Sequence, residues 1–260
     1  MEWWATSFDE LYLRLFEAML STERTEREVM GSRVMLGLRP GDRILDLCCG
    51  QGRHAVPLAR AGYRVAGLDH SVYLLDQARQ RADQAGVGVQ WVRGDMRRLP
   101  WGERFDACLN LFTAFGYFEG EEENQRVLDE VCRVLKPGGR LLLDLSNRDY
   151  CLLRWLPRSW QYRQGAVILD ETDFDPLTCR FTVTFTWIDG DRRQSISHSV
   201  RHYTAPEIEA MLRTAGLTPQ AVYGDFDQTE FDIFSPRMIV IAQKPEREAN
   251  GRVDRLFWRR

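Results

Sequence analysis

Lysine and histidine are both scarce in this chain of 260 residues, and its cysteines lack metal-binding spacing. Lysine occurs at Lys136 and Lys244 among 35 basic residues, and four histidines accompany six cysteines. The sequence has no C-x-x-C pair, which argues against a zinc site built on cysteines. The adjacent Cys48 and Cys49 could join only through a strained ring. We therefore expect no bound metal, and small buried cysteines of a reducing compartment.

Long apolar runs and a strong excess of one charge are also absent. No stretch approaches the roughly 20 apolar residues of a membrane helix. The N-terminus, MEWWATSFDELYLRLF, carries acids where a signal peptide carries positive charge, so we expect a cytoplasmic protein without a membrane partner. The net charge of −3 provides no global attraction for nucleic acid, which is not an expected partner. The arginine-rich segment 246–260 is the one basic candidate, and we interpret it as a solvated tail.

From residue 43 onward, short apolar runs alternate with amphipathic stretches, a pattern typical of βα units in a parallel sheet. The predicted strands are RILDLCC, YRVAGLD, VQWVRGD, FDACLNLF and RLLLDLSN. The predicted helices between them are GRHAVPLARAG, SVYLLDQARQRADQAG and EEENQRVLDEVCRVLKPGG. Five strands in this succession predict an α/β doubly wound sheet that binds ligands at the carboxyl ends of its strands.

The pattern changes at residues 160–203, where β-branched and alternating residues with DP and DGD turns predict an antiparallel meander. A helix, APEIEAMLRTAG, follows, and then strands near PQAVYGDF and RMIVIAQ that predict a hairpin adding an antiparallel strand to the sheet. We therefore divide the chain into an N-terminal lid helix (1–30), a core (31–150 and 204–245), an antiparallel cap insertion (151–203) and a basic tail (246–260).

The stretch DLCCGQGRHA, residues 46–55, fits the G-x-G-x-x-A turn of dinucleotide-binding proteins, a weak signal by itself. Asp69 ends the second predicted strand, where both nicotinamide and adenosyl ligands present a ribose diol. Asp46 lies inside the first strand, four residues before Gly50. A carboxylate there disfavours a pyrophosphate and attracts a cationic ligand carrying an ammonium or a sulfonium.

A second carboxylate follows the third strand, in RGDM, where Asp95 can accept a hydrogen bond from an adenine amino group while Met96 packs on the ring. With these motifs and VLKPGGRLLLD, the chain resembles the class I S-adenosylmethionine-dependent methyltransferases of the small-molecule type over residues 40–145. The resemblance implies a Rossmann-like, seven-stranded sheet with an antiparallel last strand, a β-rich cap insertion, and S-adenosyl-L-methionine as cofactor.

The resemblance also implies a set of cofactor contacts. Gly50 and Gly52 would let the backbone approach the methionine moiety, and Asp69 would hold the ribose hydroxyls. The full set of expected cofactor-binding residues is Asp46, Gly50, Gly52, Asp69, Asp95, Met96, Asn110 and Leu111, the last two at the end of the fourth strand.

The loop after the fourth strand, NLFTAFGYFEG, lacks the N/D-P-P-Y/F signature of enzymes that methylate adenine or glutamine amides. Its aromatic residues suit the wall of an acceptor pocket or ordinary core packing. His54, which follows the glycine turn, faces the acceptor or simply packs at the start of a helix. The candidate residues are Tyr117 and His54 for catalysis, and Tyr12, Phe115, Phe118 and His202 for acceptor binding.

These observations favour a methyltransferase that acts on a small-molecule acceptor, with nitrogen slightly preferred over oxygen or carbon. Two alternatives stay open. One is methylation of RNA or protein, with the arginine-rich tail as a docking element. The other is a non-catalytic binding subunit with a methyltransferase fold, against which the three carboxylates Asp46, Asp69 and Asp95 argue.

Overall fold

The computed structural model describes residues 3–163 and 165–246. The basic tail predicted for 246–260 lies outside the described residues, apart from Glu246. No helix among residues 3–163 and 165–246 is long and apolar enough to cross a membrane.

Seven helices and eleven strands make up the described part of the chain. The helices are α1 (Glu10–Phe16), α2 (Thr22–Met35), α3 (Ala55–Arg60), α4 (Val72–Ala85), α5 (Glu121–Val134), α6 (Arg148–Leu153) and α7 (Ala205–Thr214). The strands are β1 (Arg43–Leu47), β2 (Arg64–Asp69), β3 (Gln90–Arg93), β4 (Phe105–Asn110), β5 (Leu135–Ser146), β6 (Arg158–Arg163), β7 (Ala166–Asp175), β8 (Arg180–Asp189), β9 (Arg192–Arg201), β10 (Thr218–Tyr223) and β11 (Arg237–Gln243). Short 3₁₀ turns occupy Trp3–Ala5 and Glu17–Met19.

A seven-stranded sheet in the order β10-β11-β5-β4-β1-β2-β3 forms the core. The strands from β1 to β5 pair in parallel, whereas β11 runs antiparallel to both β5 and β10. The predicted doubly wound, Rossmann-like sheet with an antiparallel last strand is therefore confirmed. Its order reverses between β1 and β4, the place where such sheets open a crevice for a ligand.

Both faces of the central strands are covered, which explains why β1, β2 and β4 are almost continuously buried. Leu45 of β1 faces the apolar side of α5 around Val131, whereas the preceding Ile44 faces Leu58 of α3. Ile44 and Leu45 are both fully buried. Each such side chain contributes about 1.5–3 kcal/mol to folding relative to exposure.

The fifth predicted strand is longer than expected, and the helix before it is shorter. We predicted a helix through Lys136 to the two glycines, but α5 ends at Val134 and β5 begins at Leu135. Pro137 keeps Lys136 out of the helix, because a residue before proline is driven towards extended backbone. The extended backbone begins one residue earlier, at Leu135. Lys136, expected in the last helical turn, instead forms an ion pair with Asp106.

The predicted meander is confirmed as a second sheet, with four antiparallel strands in the order β6-β7-β8-β9. Its inner face contacts the N-terminal helix, where Leu11 and Leu15 of α1 form one buried cluster with Ile168 and Trp187 of the sheet. Residues 3–16, which we call the N-terminal segment, therefore lie between this sheet and the core.

Candidate active site

A first cavity lies at the carboxyl ends of β1, β2 and β4. It gathers ten of the predicted site residues: Tyr12, Asp46, Gly50, His54, Asp69, Asp95, Met96, Leu111, Tyr117 and Phe118. The parallel strands bring these distant positions together because their carboxyl ends meet at one edge of the sheet.

Asp46 is buried at the base of this cavity, with 1% of its surface exposed. Its Oδ2 atom is buried without a hydrogen-bond partner among the described residues, whereas a backbone hydrogen bond comes from Ala55. Burial raises the pKa of Asp46 to about 7, against the opposing effect of the Arg53 charge. An unpartnered carboxylate oxygen in such a place is costly unless a ligand pairs with it.

Asp69 is fixed at the end of β2 by backbone donors on both sides. Its Oδ2 accepts a hydrogen bond from the Gly50 amide at 2.8 Å, and its Oδ1 accepts one from the Ser71 amide at 2.9 Å. Burial raises the pKa of Asp69 despite these bonds. Asp69 lines the first cavity, and a carboxylate can accept hydrogen bonds from ligand hydroxyls there.

Gly52 does not line the cavity but permits the turn that forms it. Its φ of +72° lies in the left-handed region, and a Cβ there would approach the ring of Trp91 to 2.7 Å. Both facts exclude a side chain at this position. Because the backbone at Gly52 is left-handed, α3 begins further along the chain than predicted, at Ala55 rather than directly after the glycines.

Asp95 forms an ion pair with Arg97, a partner that the sequence does not predict. Its Oδ2 accepts a hydrogen bond from Nη2 of Arg97 at 2.6 Å, and its Oδ1 accepts one from the Arg97 amide at 2.8 Å. Burial alone would raise the pKa of Asp95, but Arg97 outweighs it and holds the pKa below its ordinary value. The Arg97 guanidinium also lies 4.2 Å from the centre of the Phe118 ring, so one arginine fixes two residues of the cavity wall.

Two of the residues predicted as ligand contacts lie outside the lining of the first cavity. Phe115, an expected acceptor contact, is fully buried in the core, with its ring 5.4 Å from that of Tyr203. The chain turns at Gly116, whose φ is +92°, and this turn separates Phe115 from Tyr117 on the cavity wall. Asn110, an expected cofactor contact, lies outside the cavity lining and donates a hydrogen bond from Nδ2 to the Leu47 backbone oxygen at 3.3 Å.

The loop after β4 has an unusual backbone at Phe112 and Thr113, whose φ values are +62° and +57°. Buried Asp144 holds both residues: its Oδ2 accepts a hydrogen bond from the Phe112 amide at 2.8 Å, and its backbone oxygen accepts one from Thr113. Arg237 of β11 forms an ion pair with Asp144 at 2.5 Å. Such strain persists where the surroundings enforce it.

A second cavity of about 540 Å³ lies between this loop, the N-terminal segment and the inner face of the second sheet. It shares four aromatic residues with the first cavity, which are Phe8, Tyr12, Phe112 and Tyr117. The predicted acceptor contact His202 lies here, not in the first cavity. The two cavities are therefore neighbours separated by aromatic rings.

The polar side chains of the second cavity include His198, His202 and Asp170. Burial lowers the pKa of each histidine to about 4, so both imidazoles are neutral at pH 7. His198 lies among aromatic rings of the N-terminal segment, with its ring centre 5.3 Å from that of Trp3 and 5.7 Å from that of Phe8. Its Nε2 atom has no hydrogen-bond partner among the described residues.

Arg53 and Glu28 are site residues that the sequence patterns do not predict, and the same patterns leave the role of His54 open. Arg53 and His54 line the first cavity, and Glu28 of α2 is buried behind them. Nε2 of His54 lies 2.7 Å from Oε2 of Glu28, and burial together with the Arg53 charge lowers the pKa of His54 to about 4. Arginine and histidine directly after the glycine turn are the one sequence signal for this cluster.

Comparison with known proteins agrees with this geometry. Residues 44–139 match the family model described as a methyltransferase domain. A glycine/sarcosine N-methyltransferase from Halorhodospira halochloris is 30% identical over 216 residues, which are 81% of this chain and 78% of that protein.

Two solved structures share this fold over most of the chain. An S-adenosylmethionine-dependent methyltransferase from Clostridium acetobutylicum superposes with a TM-score of 0.79 at 18% identity, over 90% of this chain and 96% of the other. CalS10 is an amino pentose methyltransferase from Micromonospora echinaspora that was solved with S-adenosylmethionine bound. It superposes with a TM-score of 0.67 at 22% identity, over 90% of this chain and 97% of CalS10. From its sheet, its sequence relatives and its fold, the chain belongs to the class I S-adenosylmethionine-dependent methyltransferases.

Proposed function

We propose that this enzyme transfers the methyl group of S-adenosylmethionine to a small-molecule acceptor, with nitrogen preferred over oxygen or carbon as the receiving atom. The observation that carries the proposal is the second cavity, which shares a wall of aromatic rings with the first. Its volume of about 540 Å³ falls within the range of small-molecule sites.

The residues of the first cavity fit the cofactor. When bound, S-adenosylmethionine supplies a methyl group activated by a positively charged sulfur. The unpartnered Oδ2 of Asp46 suits a positively charged group of the ligand, and the anchored carboxylate of Asp69 suits a ribose diol. Asp95 and the buried Met96 suit an adenine ring.

The protein's own contribution is to align the two ligands and exclude water. The Ser71 hydroxyl donates a hydrogen bond to the Phe8 backbone oxygen at 2.6 Å, which ties the N-terminal segment to the end of β2. Trp4, Phe8 and Tyr12 then lie along the first cavity. We propose that this segment acts as a lid and the second sheet as an acceptor cap, since alignment in a dry site supplies much of the rate in such a displacement.

Nitrogen is favoured by the character of the second cavity and by the relatives. An amine must be neutral to accept a methyl group, and an apolar wall lowers the pKa of an amine by disfavouring its charged form. The wall includes Val183, Phe185 and Val200 of the second sheet. Glycine, sarcosine and amino pentoses are the acceptors named for the related proteins described above.

Methyl transfer to a panel of small amines, alcohols and phenols tests the proposal. We expect S-adenosylhomocysteine to form fastest with one class of amine, and mass spectrometry to place the added methyl on nitrogen. Transfer to alcohols or phenols alone would contradict the preference for nitrogen. Binding of S-adenosylmethionine without transfer to any small molecule would contradict the proposal itself.

A further inference from the structure

A buried ion cluster joins α2 to the start of α3, directly beside the first cavity. Glu28, Arg53 and His54 expose 1%, 5% and 5% of their surfaces. Oε1 of Glu28 accepts a hydrogen bond from Nε of Arg24 at 2.7 Å, and Oε2 accepts hydrogen bonds from Nη1 of Arg53 and Nε2 of His54. One carboxylate therefore receives donors from three side chains.

The charges within this cluster do not balance. Burial alone would raise the pKa of Glu28, but His54 and Arg53 outweigh it and hold the pKa below its ordinary value, so Glu28 carries a negative charge. His54 is neutral at pH 7, since its pKa is lowered to about 4. Two arginines thus face one carboxylate, and one positive charge remains. A buried charge without a counterion is strongly unfavourable.

One buried donor of this cluster has no hydrogen-bond partner in the described part of the chain, and it belongs to Arg53. Its Nη1 is held by Glu28 and by Oγ1 of Thr25 at 3.2 Å. Its Nη2 is buried and has no hydrogen-bond partner among the described residues. Because Arg53 lines the first cavity, its Nη2 atom can bind an anion there. Guanidinium nitrogens are the preferred protein donors to a carboxylate.

An opposite charge faces the same cavity. Asp46 carries the unpartnered Oδ2, and its pKa responds to the nearby Arg53 charge although no ion pair joins the two residues. The unpartnered Nη2 donor of Arg53 and the unpartnered Oδ2 of Asp46 in one cavity fit a zwitterion, whose carboxylate pairs with Arg53 and whose ammonium pairs with Asp46. The α-amino acid end of S-adenosylmethionine is such a zwitterion.

We propose that Arg53 binds the carboxylate of the cofactor's amino acid end, and that Glu28 is the positioning residue that holds the Arg53 guanidinium in place. His54 completes the cluster through its hydrogen bond to Glu28 and has no role as a base. This inference rests on the proposed placement of the cofactor in the first cavity, and it is independent of the acceptor.

Isothermal titration with three ligands tests it on the full-length protein. S-adenosylhomocysteine has the whole amino acid end, decarboxylated S-adenosylmethionine keeps the ammonium but lacks the carboxylate, and 5′-methylthioadenosine lacks both. For R53M we expect affinity for S-adenosylhomocysteine to fall about 10- to 100-fold, while affinity for the other two ligands changes less than about twofold. R60M, at the exposed end of α3, is the matched control and should change none of them.

Glu28→Gln tests whether Glu28 positions the Arg53 guanidinium or only stabilises the folded protein. It should lower the affinity for S-adenosylhomocysteine by a smaller factor than R53M and leave 5′-methylthioadenosine binding unchanged. Equal losses for all ligands in R53M and E28Q, or unchanged S-adenosylhomocysteine affinity in R53M, would overturn the inference. If R53M does not fold, R53K replaces it. For R53K we expect the affinity for S-adenosylhomocysteine alone to fall, to a value between those of the wild type and R53M. Failure of the wild type to bind even 5′-methylthioadenosine would instead overturn the placement of the cofactor.

Discussion

Nη2 of Arg180 donates a hydrogen bond to the backbone oxygen of Tyr117 at 3.0 Å. Arg180 begins β8 of the second sheet, whereas Tyr117 belongs to the loop after β4 and lines both cavities. Nη1 of Arg180 reaches the neighbouring Phe118 backbone oxygen, also at 3.0 Å. The second sheet is thus attached directly to the wall between the two cavities.

Arg180→Met should therefore impair transfer more than cofactor binding. Without the two hydrogen bonds, the Tyr117 loop loses its fixed position, and misplacement on the scale of 1 Å can cost about 100-fold in rate. We expect kcat for the amine acceptor to fall about 10-fold or more, with the affinity for S-adenosylhomocysteine unchanged. R158M, an exposed arginine of the same sheet, is the control. Equal kcat in R180M and R158M would refute this role of Arg180.

Tyr117 should act through its ring and its protonated hydroxyl rather than as a base. Burial raises the pKa of Tyr117 well above its ordinary value, so the hydroxyl keeps its proton. Tyr117→Ala removes part of the wall between the cavities, and we expect kcat/KM to fall about 100-fold, with a smaller loss in Tyr117→Phe. Titration with S-adenosylhomocysteine should give wild-type affinity for both variants. Normal turnover by both would show that the loop does not form the acceptor wall.

Alanine substitutions at three glycines should separate backbone strain from steric conflict. Gly52→Ala meets both, since φ is +72° and Trp91 lies 2.7 Å from the new Cβ, so we expect a loss of about 2–4 kcal/mol in the free energy of unfolding. Gly62→Ala has a φ of +89° but open space, and should lose about 1 kcal/mol. At Gly88 φ is not positive and no atom of the described residues lies near an added Cβ, so Gly88→Ala should leave the free energy of unfolding unchanged or raise it. Urea unfolding measures all three, and equal values for G52A and G62A would contradict the role of Trp91.

Acid should destabilise the fold through its buried histidines. Burial lowers the pKa of His198 and His202 to about 4 from an ordinary 6.5, so the folded protein resists protonation that the unfolded chain accepts. Their contribution to stability is therefore complete above about pH 6.5 and is lost as the pH falls towards 4. We expect a loss of about 1–3 kcal/mol for each histidine over this interval.

The double variant H198F/H202F isolates this effect, because the buried carboxylates are unchanged in it. Those carboxylates matter, since the raised pKa of Asp46 acts with the opposite sign and favours the folded state as the pH falls. Urea unfolding at pH 7.5 and pH 4.5 should show a smaller loss in the variant than in the wild type. An equal loss in both would mean that these histidines do not control acid stability.

The fold could be predicted from the sequence because short sequence patterns mark its strands, helices and turns. Continuous apolar runs marked the parallel strands, and alternation with DP and DGD turns marked the second sheet. The boundary at Leu135 was missed because the restriction that Pro137 places on its neighbour acts against an otherwise helical pattern.

Site residues at the ends of strands could be predicted from the sequence. Site residues that reach the cavity only through tertiary packing could not. Asp69 ends β2 and Asp46 is the last residue but one of the neighbouring parallel strand β1, so topology alone placed them in one cavity. Glu28 lies in a separate helix with no local pattern, and only packing brings it to His54. Phe115 and Tyr117 are two residues apart in an aromatic loop, yet the turn at Gly116 sends one to the core and the other to the cavities.

The most direct test of the central claim is the destination of the methyl group. The enzyme would be incubated with S-adenosylmethionine labelled on its methyl group, together with a mixture of small amines, total RNA and unfolded protein, and then passed through an ultrafiltration membrane. We predict that the label leaves with the filtrate as an N-methylated small molecule, and that the Tyr117→Ala variant transfers far less. Label retained with RNA or protein would contradict the proposed function, as would the absence of any transfer by an enzyme that binds the cofactor.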